Sequence, residues 1–297
     1  MSENINSGVQ PEKNKKKKSQ FKEVWRMFRK DRAAVAGLIF ICIFSLAIIF
    51  ADVIAPYELV ITMNPQTRLD PPSAEHIFGN DHFGRDLFAR VLHGGRTSLS
   101  IGFISAFLSM FLGGFLGVLA GFYGRFTDEL IMRIMDVFIC IPSLLLTLAI
   151  IAALGPGFTN LLIAIIVGSI PGFARIMRAS ILSIVEQDYI EAARAGGMSD
   201  MRIMRKHVLP NAIGPVIIFM TSSISGMILL AAALSFLGLG VRPPQPEWGA
   251  MLSEARQFMR TAPHFMTFPG LAIVLSALSF NVIGDGLRDA LDPRLKN

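Results

Sequence analysis

The sequence predicts an all-α polytopic membrane protein with six transmembrane helices, and three observations carry that expectation. Of its 297 residues, 17% are charged and 52% hydrophobic, whereas a soluble domain carries about 25% charged residues. The apolar residues fall in uncharged blocks, and crossing about 30 Å of hydrocarbon takes about 20 helical residues. Arg and Lys gather in alternate connections between these blocks, as they do where basic loops stay inside the cell.

The first block, Ala33 to Ala51, follows a long polar leader and exceeds the core of a secretory signal, so it reads as an uncleaved first span. Thr97 to Tyr123 is the second. The run from Val137 to Ala174 is too long for one helix, and Gly155-Pro156-Gly157 divides it into spans three and four. Val208 to Val241 holds span five and Phe265 to Gly284 span six. Pro142, Pro171, Pro210 and Pro215 mark span ends or kinks.

Orientation follows from the basic residues. Lys13, Lys15, Lys16, Lys17 and Lys18, then Lys22, Arg26, Arg29 and Lys30, make the N-terminal arm strongly cationic. Beside a span, such a run points to lipid headgroups and topology, not nucleic acid. The connection after span four carries Arg175, Arg178, Arg194, Arg202, Arg205 and Lys206, and the C-terminus Arg288, Arg294 and Lys296. Both termini are therefore expected inside. The long connection after span one has Arg68, Arg85, Arg90 and Arg96, balanced by Asp70, Glu75, Asp81 and Asp86.

Chemistry is sparse. Cys42 and Cys140 lie in apolar stretches and read as small buried hydrophobes. His76, His82, His93, His207 and His264 are scattered over loops, so no metal site and no catalytic residue is expected. Trp25 and Trp248 read as interfacial anchors, and Asp81 and Asp86 as solvated residues or caps. No charge falls in mid-span, which argues against an ion-coupled carrier or proton relay. Gly113, Gly117 and Gly121 recur every fourth residue, a smooth face for close helix packing.

The connection from Arg175 to His207 is long for a helical bundle yet lacks the composition of a floppy linker. It reads as two short helices. One runs from about Ile184 to Ala195 and stops at Gly196-Gly197; the second is capped at Ser199-Asp200. Within it stands Glu191-Ala192-Ala193-Arg194-Ala195-Gly196-Gly197, followed by Leu209-Pro210. This resembles the cytoplasmic loop motif of permease subunits of ATP-binding-cassette (ABC) importers. Gly197 stands at the family's Gly position and Leu209-Pro210 at its end. His207 replaces the general Ile, as in the peptide branch.

The segments Phe21 to Gly37, Pro71 to His76, Phe83 to Leu87, Ile170 to Arg175, Glu247 to Leu252 and Gly284 to Arg294 are similar to the peptide and nickel subfamily in the same order. The last is similar to the C-type permease of oligopeptide and dipeptide importers. The resemblance implies a type I ABC importer permease fold. It divides the chain into a basic cytoplasmic arm (1–32), a first transmembrane helix (33–55), an extracytoplasmic loop (56–96), a five-helix core with a coupling loop at 175–207 (97–290) and a cytoplasmic tail (291–297).

It further implies that Glu191, Ala192, Ala193, Gly197, Leu209 and Pro210 couple the permease to an ATPase. The chain itself has no Gly-Lys pair and so no phosphate-cradling loop. ATP and Mg are expected on two partner ATPase subunits. A second, different permease and an extracytoplasmic binding protein would complete the importer. The implied cargo is a dipeptide or oligopeptide, with nickel, or an ion-coupled carrier, as alternatives.

Overall fold

The computed structural model describes residues 20–291. The lysines at 13 and 15–18 lie outside the described residues, as do Pro293, Arg294 and Lys296. Among the described residues the elements are all helical: α1 (Gln20–Phe28), α2 (Arg32–Ile49), α3 (Ala51–Ile54), α4 (Glu58–Ile61), α5 (Leu87–Tyr123), α6 (Arg125–Cys140), α7 (Ser143–Leu154), α8 (Phe158–Val185), α9 (Asp188–Ala195), α10 (Asp200–Ile203), α11 (Leu209–Phe236), α12 (Trp248–Ala255) and α13 (Pro263–Leu291).

Five continuous helices are long and apolar enough to cross a membrane: α2, α5, α8, α13 and the run Asp200–Phe236 that contains α11. The place of the expected sixth span is taken by a bent pair of helices. α6 and α7 pass the same test together but meet at a bend of 89°. Span three was expected to begin at Val137. Instead α6 carries Arg125, Asp128, Glu129, Arg133 and Asp136, which keep it out of hydrocarbon, and Pro142 sets the break. α7 alone has 12 residues, a rise of about 18 Å. That is short of a full bilayer.

Two helices outrun their expected spans. α5 starts at Leu87 and not at Thr97, because the Asp86 side chain accepts from the Ala89 N–H at 2.8 Å and starts the helix there. Residues 87–96 of the expected loop are thus helical. α8 likewise continues past Arg175 to Val185, so 175–185 is helix and not loop. Arg175 pairs with Asp136 at 2.6 Å, and Arg178 pairs with Asp128. The charges end the apolar stretch without ending the helix.

α5 packs most extensively on α8, and α11 joins both; α13 packs on α11 and carries α2 on its other side. The glycines of α5 make the first contact possible. A Cβ on Gly113 would lie 2.5 Å from the Ile170 carbonyl oxygen and 2.7 Å from Phe173 Cβ. One on Gly117 would lie 2.8 Å from Met177 Cβ, and one on Gly121 2.8 Å from Ile181 Cβ. Backbones approach this closely only where side chains are missing. α1 packs on α13 at the end of the bundle that also carries α9.

The readings of Trp248 and of the two cysteines are corrected. Trp248 is fully buried, its Nε1 donating to the Val91 carbonyl at 2.8 Å and its ring stacked on Phe44. It is a core residue and not an interfacial anchor; Gly94 and Gly95 on α5 leave room for it. Trp25 is 46% exposed. Cys42 and Cys140 are exposed on the bundle surface, because the spans bury only part of their circumference within this one chain.

Candidate functional site

The motif segment lies where α8 ends. Glu186 and Gln187 break the helix, and α9 covers eight residues. Ile184 therefore belongs to α8, and the expected helix from Ile184 to Ala195 is shorter than its apolar pattern suggested. Ile190, wholly buried, pins α9 to the bundle, while Glu191 and Ala192 are exposed and Ala193 half-buried. Arg194 stands 5.7 Å from the Phe122 ring, tying α9 to the end of α5. α9 presents a small, shallow face whose first turn carries two exposed carboxylates, Asp188 and Glu191.

Its C-terminus has a defined geometry. The Gly197 N–H donates to the Arg194 carbonyl at 3.0 Å and the Met198 N–H to the Ala193 carbonyl at 3.1 Å, a Schellman closure. Gly197 has φ +76°, a left-handed backbone that favours glycine. Met198 and Ala193, both partly buried, supply the apolar contact that accompanies this closure.

The second expected helix is not separate. Ser199 occupies the N-cap position of α10 without a side-chain bond, and its carbonyl accepts from the N–H groups of Arg202 and Ile203. A wide π-type turn, Met204–Val208, then joins α10 to α11, so Asp200–Phe236 runs as one segment. Pro210 lies two residues after it, behind Leu209. Proline lacks an N–H and crowds the carbonyl four residues back, and a widened turn relieves such a conflict. The Asn211 amide donates to the His207 carbonyl at 2.6 Å. Leu209 and Pro210 thus sit at the joint between the wide turn and α11, with Ile203 and Val208 fully buried beneath.

Halfway along the bundle is a groove of about 400 Å³ between α7, α8 and α11. Ser143, Gly168, Ser169, Gly172, Ser223 and Gly226 line it. Ser169 Oγ donates to the Ile165 carbonyl and Ser223 Oγ to the Phe219 carbonyl, so each hydroxyl oxygen keeps acceptor capacity. Sequence reasoning did not single these residues out. Their signal was the recurrence of Ser and Gly at helical spacing, dispersed over three spans and so invisible in any one. The opposite seam, between α5 and α11, carries Phe103, Phe107, Phe111 and Phe115, all exposed.

At the far end, residues 62–86 fold over the start of α5 around an ion-pair cluster. Asp81 is fully buried; it accepts from Arg85 Nε at 2.6 Å, from Arg90, and from the N–H groups of Phe83 and Arg85. Arg85 and Arg90 also reach Glu254 on α12, at 3.2 and 2.9 Å. Burial works to raise the Asp81 carboxyl, but the two guanidiniums and the backbone N–H groups hold it below its ordinary pKa. Asp81 is therefore not solvated, whereas Asp86 is the cap of α5 and pairs with His76 at 2.8 Å.

His82 lies with Asp81 and Glu254 at mutual distances a cation could bridge. Both carboxylates are already held by arginines, so a metal would have to displace two guanidiniums. Burial, with Arg85 and Arg90 nearby, lowers the His82 pKa against the pull of Glu254 and Asp81. His93 Nε2 lies 2.8 Å from the Ala55 carbonyl, and His207 packs near Tyr189. The five histidines do not converge.

Comparison with known proteins gives this architecture a place. The family model of the binding-protein-dependent transport system inner membrane component matches residues 113–297, and that of the N-terminal transmembrane domain of oligopeptide transport permease C matches 19–72. A dipeptide transport system permease protein of Alkalihalophilus pseudofirmus is 47% identical over 279 residues, 94% of this chain and 91% of that protein. A glutathione transport system permease protein of Escherichia coli O6:K15:H31 is 45% identical over 274 residues, 92% and 90% of the two.

Among solved structures, a chain of the inward-facing MetNI methionine ABC transporter superposes with TM-score 0.56 and 23% identity, covering 69% of this chain and 98% of that one. That likeness concerns the fold. With one family model spanning more than half of the chain and relatives near half identical over nearly all of it, the chain belongs to the binding-protein-dependent ABC transport permeases, in their peptide branch.

Proposed function

We propose that this permease carries short peptides through the groove between α7, α8 and α11, and that a separate ATPase drives it by moving α9. The observation that carries the reading is the continuity of Asp200–Phe236 from the segment after α9 into the middle of the bundle. Family membership implies an ATPase and a substrate-binding protein as partners. The finer assembly proposed is two ATPase subunits, which hold ATP and Mg, and a second, different permease across the groove. ATP closes the ATPase pair and displaces α9 through Glu191, Ala192 and Ala193. The Gly197 turn and the buried Ile203–Val208 joint pass the displacement through Leu209 and Pro210 to α11. This is a two-state element biased at one end.

The basic arm and the Arg-rich α9 end support placing that end, and both termini, in the cytoplasm. The ion-pair cluster around Asp81 then faces outside, where the binding protein delivers cargo. Relatives named for dipeptide and glutathione transport support a peptide over nickel, and membership in a binding-protein-dependent family disfavours an ion-coupled carrier. Ser143, Ser169 and Ser223 offer peptide groups replaceable hydrogen-bond partners without a fixed charge that would trap them. The test is reconstitution of the whole importer in vesicles, with uptake of labelled di-, tri- and hexapeptides compared with nickel. ATP-dependent peptide uptake that Glu191→Ala abolishes is expected; nickel uptake alone would overturn the reading.

A further inference from the structure

The seam between α5 and α11 opens, at its α9 end, into a cavity of about 400 Å³. Its walls include Met110, Phe111, Phe115, Met177, Met204 and Gly114. Beside it lies a second hollow of about 490 Å³, lined by Ser199, Met201, Arg202, Arg205 and Lys206. Met201 and Arg205 line both, so the two form one amphipathic site with an apolar shaft and a cationic mouth. Arg202, Arg205 and Lys206 are exposed, and none has an acidic partner within salt-bridge distance among the described residues. We infer that this site holds one anionic phospholipid, its phosphate on Arg202, Arg205 and Lys206 and an acyl chain in the shaft.

Three physical points lead to this occupant. An apolar shaft open sideways at membrane depth is not filled by water, and an empty one forfeits the dispersion contacts of its walls. From Met110 to Tyr123 the shaft follows α5 for about 20 Å, using 1.5 Å per residue, close to the roughly 15 Å of one leaflet's hydrocarbon plus its headgroup layer. Guanidinium forks match phosphate oxygens, and basic pockets between helices at the cytoplasmic side suit anionic headgroups. A helix of the second permease would fill the shaft but leave three cations unanswered. The four methionines, flexible and polarisable, suit a chain that varies in length and unsaturation. The lipid braces the wide turn 204–208 against α5, at the joint through which α9 moves α11; that consequence rests on the coupling reading, the binding itself does not.

The test uses the complete importer in nanodiscs of equal phosphatidylglycerol and phosphatidylcholine, with native mass spectrometry counting lipids retained by this chain. One phosphatidylglycerol retained in preference to phosphatidylcholine is expected. Arg202→Gln, Arg205→Gln and Lys206→Gln should each reduce the preference about fivefold. Gly114→Leu fills the shaft from a position whose Cβ would meet only Met177 Cε, at 3.4 Å, and should abolish retention of both lipids while the cations remain. Equal retention of the two lipids by the native importer, retention undiminished in Gly114→Leu, or a cross-link from Phe115→Cys to the second permease would overturn the inference. Glu191→Ala should keep the lipid even where uptake is lost, which separates failure here from failure of the coupling reading.

Discussion

Gly197 and Ala192 separate two ways of disabling one short helix. At Gly197 the backbone sits at φ +76°, so Gly197→Val strains the closure of α9 by about 1–3 kcal/mol and frees its C-terminal carbonyls. The Ala192 residue is exposed, and its only bond beyond the helix is from its backbone carbonyl to the Gly196 N–H, which a new side chain leaves in place. Ala192→Phe should therefore leave thermal stability within about 0.5 kcal/mol and, on the proposed docking, still abolish ATP-driven uptake, because a ring would stand where the ATPase closes. Unchanged uptake by Ala192→Phe, measured in vesicles at equal protein, would remove α9 from the docking role. Asp81 gives a different residue-scale expectation. Asp81→Asn leaves Arg85 and Arg90 buried without their main acid and should cost about 3–5 kcal/mol. The native carboxyl has its pKa held below 3.8, so its contribution is complete above that value and disappears only as pH falls through the depressed one. Amide protection factors across 62–86, taken relative to intrinsic exchange at each pH, should hold from pH 7 down to about pH 4 and fall below it; loss of protection near pH 6 would contradict the sign. The sequence places Asp81 and Arg85 four residues apart, but Glu254 arrives from 169 positions beyond Arg85.

The helices show the same division between what periodicity reveals and what only packing decides. The spacing of Gly113, Gly117 and Gly121 announced a smooth face, and α8 is what lies against it. Gly117→Leu drives a side chain into Ala174 and Met177 and should separate α5 from α8 at a cost of about 1–3 kcal/mol. Thermal unfolding of the detergent-solubilised importer reads this directly, and a change below about 0.5 kcal/mol would show that the helices slide apart freely. Where charges interrupted the apolar runs, sequence reading ended helices too early. Arg90 and Arg96 suggested a loop, yet Arg90 is neutralised by Asp81 and Glu254, and Arg96 reaches Asp52 at 2.7 Å. Pro142 marked a span end or kink in the sequence, but the uncharged run from Val137 concealed that Ile141-Pro142 turns the chain through 89° and leaves α7 as the apolar part.

The whole molecule has two unlike faces, and their difference is a testable statement about where cargo passes. Ser143, Ser169 and Ser223 with their glycines face one way from α7, α8 and α11; the phenylalanines of α5 face another. No single span is polar enough to reveal this, since three helices contribute one serine each to the groove. A water-filled pathway keeps hydroxyls accessible, whereas a lipid-facing phenylalanine stripe excludes aqueous reagents. In an importer with Cys42 and Cys140, both exposed, replaced by alanine, Ser223→Cys should react with a charged, membrane-impermeant thiol reagent. Phe107→Cys, exposed by 58% in the isolated chain, should not. On the proposed coupling, in which α9 moves the joint where α11 begins, the Ser223→Cys rate should change at least severalfold when ATP analogues trap the transporter. Peptide substrate should slow the reaction by occupying the groove. Equal labelling of the two positions would assign the phenylalanine seam to water and displace the pathway from the serine face, while equal protection of both would place the two faces in lipid or in a protein interface.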